Sequence, residues 1–309
     1  MTSSDAFLSS ADIFGEAAAT ELISSADLTV DSALYLRRLA QIDHYPDVLA
    51  LMPNIYDDDD RALVEAHLRE RLHEAGLIDA EATPHPTLAS WLHALYRPDV
   101  EATARIRRGD NMLRLSLVRR GDLHILATRL DDSVLIQRLQ SSSRSYTKIV
   151  ADALWAFLGE REPLTIDPFR ASLAAFDHIA RNNAPGESAE ALQAIGATPR
   201  TARALNAATS PDALEQTAEI ALVEHHDSGR TRSGLSDDGH IGISVAATTG
   251  AVGVGVLDST NGRLISTPRL GATGELTVTF GSGTRERFEQ GMEQLLDFIP
   301  AQSWFDTSR

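Results

Sequence analysis

The chain has 309 residues, and its 28 Lys and Arg against 44 Asp and Glu give a formal net charge of −16. This charge repels phosphate backbones and argues against a general nucleic-acid binder. The sequence contains no cysteine, which excludes disulfides, thiolate catalysis, iron–sulfur clusters and sulfur-ligated zinc sites.

The first 26 residues have the composition of a mobile leader. They are rich in Ser and acidic residues, and no Lys or Arg occurs before Arg37, whereas a secretory signal starts with a basic region. No run of 18 apolar residues is present, so we expect no membrane insertion. We predict a leader over residues 1–26, with a short strand near Glu21–Ser25, and a single domain over residues 27–309.

Three helices are predicted after the leader. The first follows Leu28 and carries Asp31 in its first turn, near the positive end of the helix dipole. The second covers residues 61–76, where one stripe is apolar: Val64, Leu68, Leu72 and Ala75. The third ends before Pro98 and has the same spacing: Leu88, Trp91, Leu92 and Leu95.

The period then changes to that of strands. Three tight turns separate four alternating segments and predict antiparallel pairing: Ala102–Ile106, Leu113–Val118, Leu123–Thr128 and Val134–Leu139. Helical spacing returns between Tyr146 and Gln216, including one segment with Phe169, Leu173, Phe176 and Ile179.

A second group of strands and a last helix complete the chain. The strands are predicted at Ile220–Val223, Ile241–Val245, Val252–Leu257, Leu264–Thr267 and Leu276–Phe280. Asn261-Gly262 predicts a type I′ hairpin turn, and Thr284 is a candidate cap for a helix that stops at Pro300. The recurring order of elements suggests two similar halves, about 27–145 and 146–309, which either share one sheet or pack two sheets together.

No motif in the sequence has the spacing that a catalytic site requires. Ser236 lies between Gly234 and Gly239, but the spacing is one residue too long for a hydrolase nucleophile elbow, so a polar loop is favoured. Gly281–Thr284 lacks the Lys and spacer of a phosphate-binding loop, which favours a turn with a helix cap. We expect no catalytic residue and no cofactor.

Candidate metal ligands have simpler explanations. His67, Glu70 and Glu74 share a helix face, but that face lies away from the apolar stripe and indicates a solvated surface. In Glu224–Asp227 the adjacent imidazoles of a strand diverge, and Asp57–Asp60 resembles the acidic start of a helix more than a calcium loop. We expect no metal site.

Eight segments are informative when they are taken together, in order and at their separations: Leu28–Ser32, Tyr45–Leu51, Leu88–Leu92, Arg97–Ala102, Arg119–Ala127, Gly239–Gly242, Val256–Arg263 and Thr279–Thr284. They resemble the EspG family, which is associated with secretion in actinobacterial type VII (ESX) systems. The resemblance covers most of the chain. It implies an α+β fold in which a central, mainly antiparallel sheet is flanked by N-terminal and C-terminal helical bundles related by a pseudo-two-fold axis.

The resemblance also implies a function. EspG-like proteins are cytoplasmic chaperones, not enzymes, that bind the apolar tip of PPE proteins in PE–PPE heterodimers and keep them soluble for export. Covering an exposed apolar tip removes an aggregation hazard, and a strongly acidic chaperone adds colloidal repulsion. Self-association without client is a further expectation. The alternatives are an interaction protein for another ESX component and a hydrolase that uses Ser236.

In the family the partner surface includes the loop after the second strand and the C-terminal helical bundle. In this chain the loop corresponds to Arg108, Gly109, Asp110 and Asn111, and it is short. The helices correspond to about Asp167–Gln216, where Phe169, Leu173 and Phe176 are either core or contact residues. Their periodic spacing favours the core.

Overall fold

The computed structural model describes residues 23–54, 57–140, 145–225, 252–271 and 274–306. Most of the predicted leader, the predicted strand Ile241–Val245 and the Ser236 segment lie outside these ranges. The first strand starts at Ser25, at the end of the segment assigned to the leader. Among the described helices, none has both the length and the apolar character that crossing a bilayer requires.

Ten antiparallel strands form one sheet in the order β1-β5-β4-β3-β2-β7-β8-β9-β10-β6. Their bounds are β1 Ser25–Thr29, β2 Val100–Arg108, β3 Asn111–Arg120, β4 Leu123–Leu130, β5 Ser133–Arg138, β6 Phe169–Ser172, β7 Leu214–Glu224, β8 Gly253–Ser259, β9 Gly262–Leu270 and β10 Leu276–Ser282. All four strands predicted between residues 102 and 139 are confirmed.

Eight α-helices accompany the sheet in the described ranges. They are α1 Val30–Leu39, α2 Asp58–Glu74, α3 Pro86–Tyr96, α4 Asp152–Leu158, α5 Leu173–Asn182, α6 Ala189–Ala194, α7 Pro199–Ala208 and α8 Arg285–Leu295. A π-helical turn, Thr147–Ala151, precedes α4, and a 3-10 turn, Asp47–Leu49, follows α1. Hydroxyl caps explain several starts: Thr29 Oγ1 accepts from the Ser32 N–H, and Thr284 Oγ1 accepts from the Arg287 N–H.

The two halves are related by a pseudo-two-fold axis between β2 and β7. In each half one edge strand and three helices precede a four-stranded meander, and the edge strand pairs with the last strand of that meander. A further helix follows each meander, α4 in the first half and α8 in the second. The fold is α+β as expected, and of the two sequence-based alternatives the single shared sheet is confirmed.

Three buried clusters hold the layers together. The central core lies under the π-helical turn, α4, α8 and the C-terminal segment, the N-terminal core under α1–α3, and the C-terminal core under α5–α7. Alternation along strands separates the faces of the sheet. Leu126 of β4 belongs to the central core and its neighbours Ile125 and Ala127 to the N-terminal core, while Val256 and Leu257 of β8 divide between the central and C-terminal cores. The N- and C-terminal cores therefore share the face opposite the central core.

Two local predictions were wrong. Phe169 does not start a helix, because Phe169–Ser172 pairs with β10 as an edge strand and Ser172 Oγ caps α5 by accepting from the Ala175 N–H. The hairpin near Asn261 is real, but Ser259 pairs with Gly262, and positive φ occurs at Gly262 and not at Asn261. The turn residues are therefore Thr260 and Asn261, one position earlier than predicted.

Candidate partner-binding surface

The loop predicted to bind a partner is a tight turn between β2 and β3. Arg108 pairs with Asn111, so Gly109 and Asp110 make the turn, and Gly109 has a φ of +56° that favours glycine. Gly109, Asp110 and Asn111 are exposed. Three of the four predicted loop residues are therefore available to a partner.

Arg108 is instead half-buried, and its side chain is directed away from the turn. Its side chain is on the central-core face, where Nη2 donates to the carbonyl oxygens of Phe157 and Leu158 at 3.0 and 3.2 Å and Nε donates to Gln216 Oε1. Partial burial lowers the pKa of Arg108 from its ordinary value, and Asp258 opposes this shift. Arg108 thus anchors the turn to the C-terminal end of α4.

The same anchor continues into a buried ion pair. Arg263 Nε and Nη2 lie 2.7 and 2.8 Å from the two carboxylate oxygens of Asp258, and Gln216 Nε2 donates to Asp258 Oδ2 at 3.0 Å. Arg263 Nη2 also donates to the Leu158 carbonyl at 2.9 Å, and its guanidinium lies 4.8 Å from the centroid of the Trp155 ring. This network joins β7, β8 and β9 to α4 and fixes the base of the turn.

The apolar candidates of the C-terminal bundle divide into two groups. Phe169 and Phe176 are buried, and both rings stack with Phe280, with centroid distances of 6.2 and 4.4 Å. Their side chains belong to the C-terminal core and do not reach the surface. Leu173, at the start of α5, packs against the same core but remains partly exposed.

The turn and these apolar residues do not form one compact patch. Phe169 is on β6, five strand spacings from β2, or about 24 Å across the sheet. Leu173 is at the opposite end of the strands from Gly109. The β2–β3 turn lies instead at the end of the sheet where β7 begins. The β8–β9 turn lies at the same end, and its Thr260 N–H donates to the Ala213 carbonyl at 2.8 Å, close to the end of α7.

A small apolar surface near Leu173 was missed by sequence reasoning. Leu270 is 51% exposed and pairs with Leu276 at the tip of the β9–β10 hairpin, next to the point where Ser172 pairs with Thr277. Alternation places Leu270 and Leu276 on the face of the C-terminal core. Leu264 and Leu270 are six residues apart and therefore share one face of a strand, but the strand predicted from the sequence ends at Thr267 and does not include Leu270.

The candidates for other chemistry have structural roles where they are described. Thr284 caps α8 as predicted, and a Cβ at Gly283 would lie 2.6 Å from the Arg263 carbonyl carbon, so close packing explains that glycine. The face with His67, Glu70 and Glu74 is exposed on α2. No group of three or more His, Asp or Glu side chains suited to a metal ion occurs in the part of the chain that the structure describes.

One buried polar cluster superficially resembles catalytic chemistry. Glu101 accepts from Ser116 Oγ at 2.7 Å, and its other oxygen lies 3.0 Å from His225 Nε2. The carboxylate separates the hydroxyl from the imidazole, and Ser116 is fully buried, so this serine cannot act as a nucleophile activated by the histidine. The cluster joins the start of β2 to β3 and to the end of β7.

Comparison with known proteins agrees with the architecture. The model of the EspG family matches residues 29–294. The ESX-1 secretion-associated protein EspG1 of Mycolicibacterium smegmatis is 30% identical over 284 residues, covering 91% of this chain and 89% of the relative. EspG1 of Mycobacterium tuberculosis is 28% identical over 296 residues, covering 94% and 93%.

A solved structure has the same fold. It is the Mycobacterium tuberculosis type VII secretion system chaperone EspG5 in complex with the PE25–PPE41 dimer, with a TM-score of 0.70 and 17% sequence identity. The similarity covers 92% of this chain and 100% of that chain. The family match over most of the sequence and the extended similarity to EspG1 lead to one conclusion: this chain belongs to the EspG family.

Proposed function

We propose that this protein is a cytoplasmic secretion chaperone of a type VII (ESX) system. It binds the apolar tip of a PPE protein within a PE–PPE heterodimer, keeps the heterodimer soluble and delivers it for export. The observation that carries this proposal is the EspG family match over residues 29–294, which spans both halves of the sheet. The complex of EspG5 with a PE–PPE dimer supports it further.

We propose two regions of the described surface as contacts for such a client. The exposed turn residues Gly109, Asp110 and Asn111 supply polar groups on a rigid base, because Arg108 ties the turn to α4. The bundle α5–α7 supplies apolar area around Leu173. A client that reaches both regions buries its own apolar tip, and the net charge of −16 keeps the complex dispersed.

The experiment is purification of the tagged chain from its native host, followed by mass spectrometry of the bound proteins. We expect a PPE protein and its PE partner in stoichiometric amounts. Recovery of another ESX component without any PPE chain would instead favour the alternative, an interaction protein for that component.

The relatives, which are named as secretion-associated proteins and a secretion chaperone, support a binding protein. The remaining enzymatic alternative, a hydrolase that uses Ser236, is tested by labelling the purified chain with a serine-reactive fluorophosphonate. We expect the wild type and a Ser236→Ala variant to give the same background signal. Stoichiometric labelling that Ser236→Ala abolishes would contradict the proposal.

A further inference from the structure

The segment that follows α8 crosses the central core without forming a helix or a strand. Residues 299–306 come directly after the 3-10 turn Leu296–Phe298, and we call them the C-terminal strap. Ile299 and Trp304 of the strap are buried in the central core, whereas Gln302 and Asp306 are exposed. The EspG family model ends at residue 294, so the strap is not among the residues that place this chain in the family.

Side chains from both halves of the sheet hold the strap. The Ala301 N–H donates to Glu224 Oε2 of β7 at 2.9 Å, and Arg119 Nε of β3 donates to the Trp304 carbonyl oxygen at 2.6 Å. Arg119 and Glu224 both pair with Val100 of β2, one from each side. The strap therefore joins the two halves at the end of the sheet where β2 begins.

Trp304 anchors the strap through a hydrogen bond between two rings. The indole is buried, with its centroid 5.5 Å from that of Tyr146 and 6.2 Å from that of His124. Trp304 Nε1 lies 3.0 Å from His124 Nε2. Because an indole nitrogen is only a donor, His124 Nε2 must accept, which requires the neutral imidazole. Protonation of His124 would place two N–H donors against each other.

The surroundings of His124 disfavour its charged form. Burial lowers the pKa of His124, and the positive charges of Arg119 and Arg138 act in the same direction, whereas a backbone hydrogen bond with Asp122 and the Asp122 carboxylate oppose the shift. Arg119 pairs with His124 directly in register. Other ionisable groups around the strap are Asp99 and Asp306 near Arg119, Glu224 on the strap backbone, and the Tyr146 phenol with Glu293 near it.

The backbone of the strap is held mainly by local turns. The Gln302 N–H donates to the Ile299 carbonyl at 3.0 Å, and the N–H groups of Phe305 and Asp306 both donate to Ser303 Oγ at 3.2 Å. Gln302 has a φ of +50°, which residues with a Cβ rarely adopt. Segments of this kind open at a lower free energy than the strands and helices around them. The strap can therefore open while the sheet stays folded.

We propose that the C-terminal strap is a pH-sensitive switch: protonation of His124 breaks its hydrogen bond with Trp304 and releases the strap from the central core, while the sheet and α8 remain folded. Release transfers the rings of Trp304 and His124 to water. The switch goes beyond the proposed function and does not depend on it, because its test uses the chain alone.

The direction of the pH dependence follows from proton linkage. The closed strap holds His124 neutral, whereas the open strap leaves the imidazole with the ordinary pKa of a histidine, about 6.5. The closed form is therefore fully favoured above that pH. Below it the open form binds the proton first, so the strap is released progressively as the pH falls.

The test is hydrogen–deuterium exchange with mass spectrometry on the full chain at about pH 7.5 and about pH 5.5, corrected for the intrinsic pH dependence of exchange. We expect the protection of the strap amides to fall about fivefold to tenfold at the lower pH, because an exposed imidazole is then about nine-tenths protonated. The amides of α8 should change less than about twofold. This comparison uses the wild type alone, so it holds even if a variant fails to fold.

Two variants assign the effect to the pair of rings. His124→Gln keeps a neutral acceptor for the indole, so strap protection should be the same at both pH values. Trp304→Phe removes the donor, so the strap should be weakly protected at both. His67→Gln is the matched control, because His67 is an exposed histidine on α2, and it should behave as the wild type does.

Three results would overturn the proposal. The first is equal protection of the strap at the two pH values in the wild type. The second is a parallel loss of protection in α8, which would mean that acid destabilises the whole fold and does not release the strap. The third is a wild-type pH dependence in His124→Gln, which would assign the effect to one of the neighbouring carboxylates.

Discussion

Arg263 forms a two-pronged ion pair with Asp258 inside the protein, and the arginine is fully buried. The two residues lie on adjacent strands, one on each side of the β8–β9 hairpin, and pair directly in register. Gln216 donates to Asp258, and Arg263 contacts the Leu158 carbonyl and the Trp155 ring, so the pair connects three strands to α4.

Loss of one partner of this pair should be costly. We expect Arg263→Met to lower the free energy of unfolding by about 3–5 kcal/mol, because it leaves the Asp258 carboxylate buried without its counter-ion. Urea unfolding measures the change. Arg38→Gln, which breaks the exposed Arg38–Glu65 pair, should cost less than about 1 kcal/mol. Equal losses in the two variants would contradict the structural role assigned to Arg263.

Gly283 should tolerate no side chain while Arg263 keeps its position. A Cβ at Gly283 would lie 2.6 Å from the Arg263 Cβ, so Gly283→Ala should destabilise the fold by about 1–3 kcal/mol through overpacking. The added methyl displaces Arg263 and so weakens the ion pair. The cost of Gly283→Ala in unfolding free energy should therefore be smaller in the Arg263→Met background than in the wild type. Gly76→Ala is the control: a Cβ there meets no atom within 4 Å, so its cost should add normally. Additive costs for Gly283→Ala would refute this explanation.

Stability should decrease in mild acid through His124. Trp304 Nε1 donates to His124 Nε2 at 3.0 Å, which requires the neutral ring, and burial lowers the pKa of His124 with help from Arg119 and Arg138. Below about pH 6.5 the unfolded chain binds this proton before the folded chain does, so stability falls with pH until the folded pKa is passed.

Urea unfolding at about pH 7.5 and about pH 5.5 measures this loss. His124→Gln should reduce the difference between the two pH values, whereas His67→Gln, at an exposed position on α2, should leave it unchanged. If the wild type and His124→Gln lose stability equally, the acid sensitivity has another origin.

The exposed turn should affect client binding without affecting folding. We expect Asp110→Ala or Asn111→Ala to weaken the complex with a PE–PPE dimer about threefold to tenfold, as expected for one or two lost interface hydrogen bonds. Their unfolding free energies should stay within about 0.5 kcal/mol of the wild type. Asp132→Ala, in the β4–β5 turn at the same end of the sheet, should leave the affinity unchanged. Equal binding by all three variants would exclude the β2–β3 turn from the interface.

Core and contact roles in the C-terminal bundle can be separated in the same way. Phe176→Ala should cost about 3–5 kcal/mol of stability, because the ring is buried against Phe280. Leu173→Ala should cost less than about 2 kcal/mol, since that side chain is partly exposed, and it should weaken client binding. Thermal unfolding and titration calorimetry give the two quantities. Unchanged affinity for Leu173→Ala would remove Leu173 from the proposed surface.

Strands β2–β5 and helix α3 could be predicted because the residue patterns that define them lie within the elements themselves. Alternating apolar residues and two-residue turns define β2–β5, and helical spacing defines α3, in which Leu88, Trp91 and Leu92 are all buried. Strand β6 gave no such signal. Its four residues become a strand only because β10, more than a hundred residues later, pairs with them.

The register of the middle strands shows the same limit. The two-residue turns at Gly109-Asp110 and Gly121-Asp122 fix which residues pair, so the alignment of Arg105, Arg114 and Arg129 was within reach of the sequence. The pairing of Arg105 with Glu219 was not, because it depends on how the two halves meet. Periodic spacing favoured the core for Phe169, Leu173 and Phe176. The structure buries both phenylalanines but leaves Leu173 partly exposed, a difference that the spacing alone does not carry.

Binding of a PE–PPE dimer by this chain is the property on which the proposed function depends. The most direct measurement is gel filtration with light scattering of the chain co-expressed with each PE–PPE pair encoded beside it. We expect one pair to give a single peak whose mass equals one 33.4 kDa chain plus one heterodimer. Separate elution of the chain and of every soluble or refolded pair would contradict the claim.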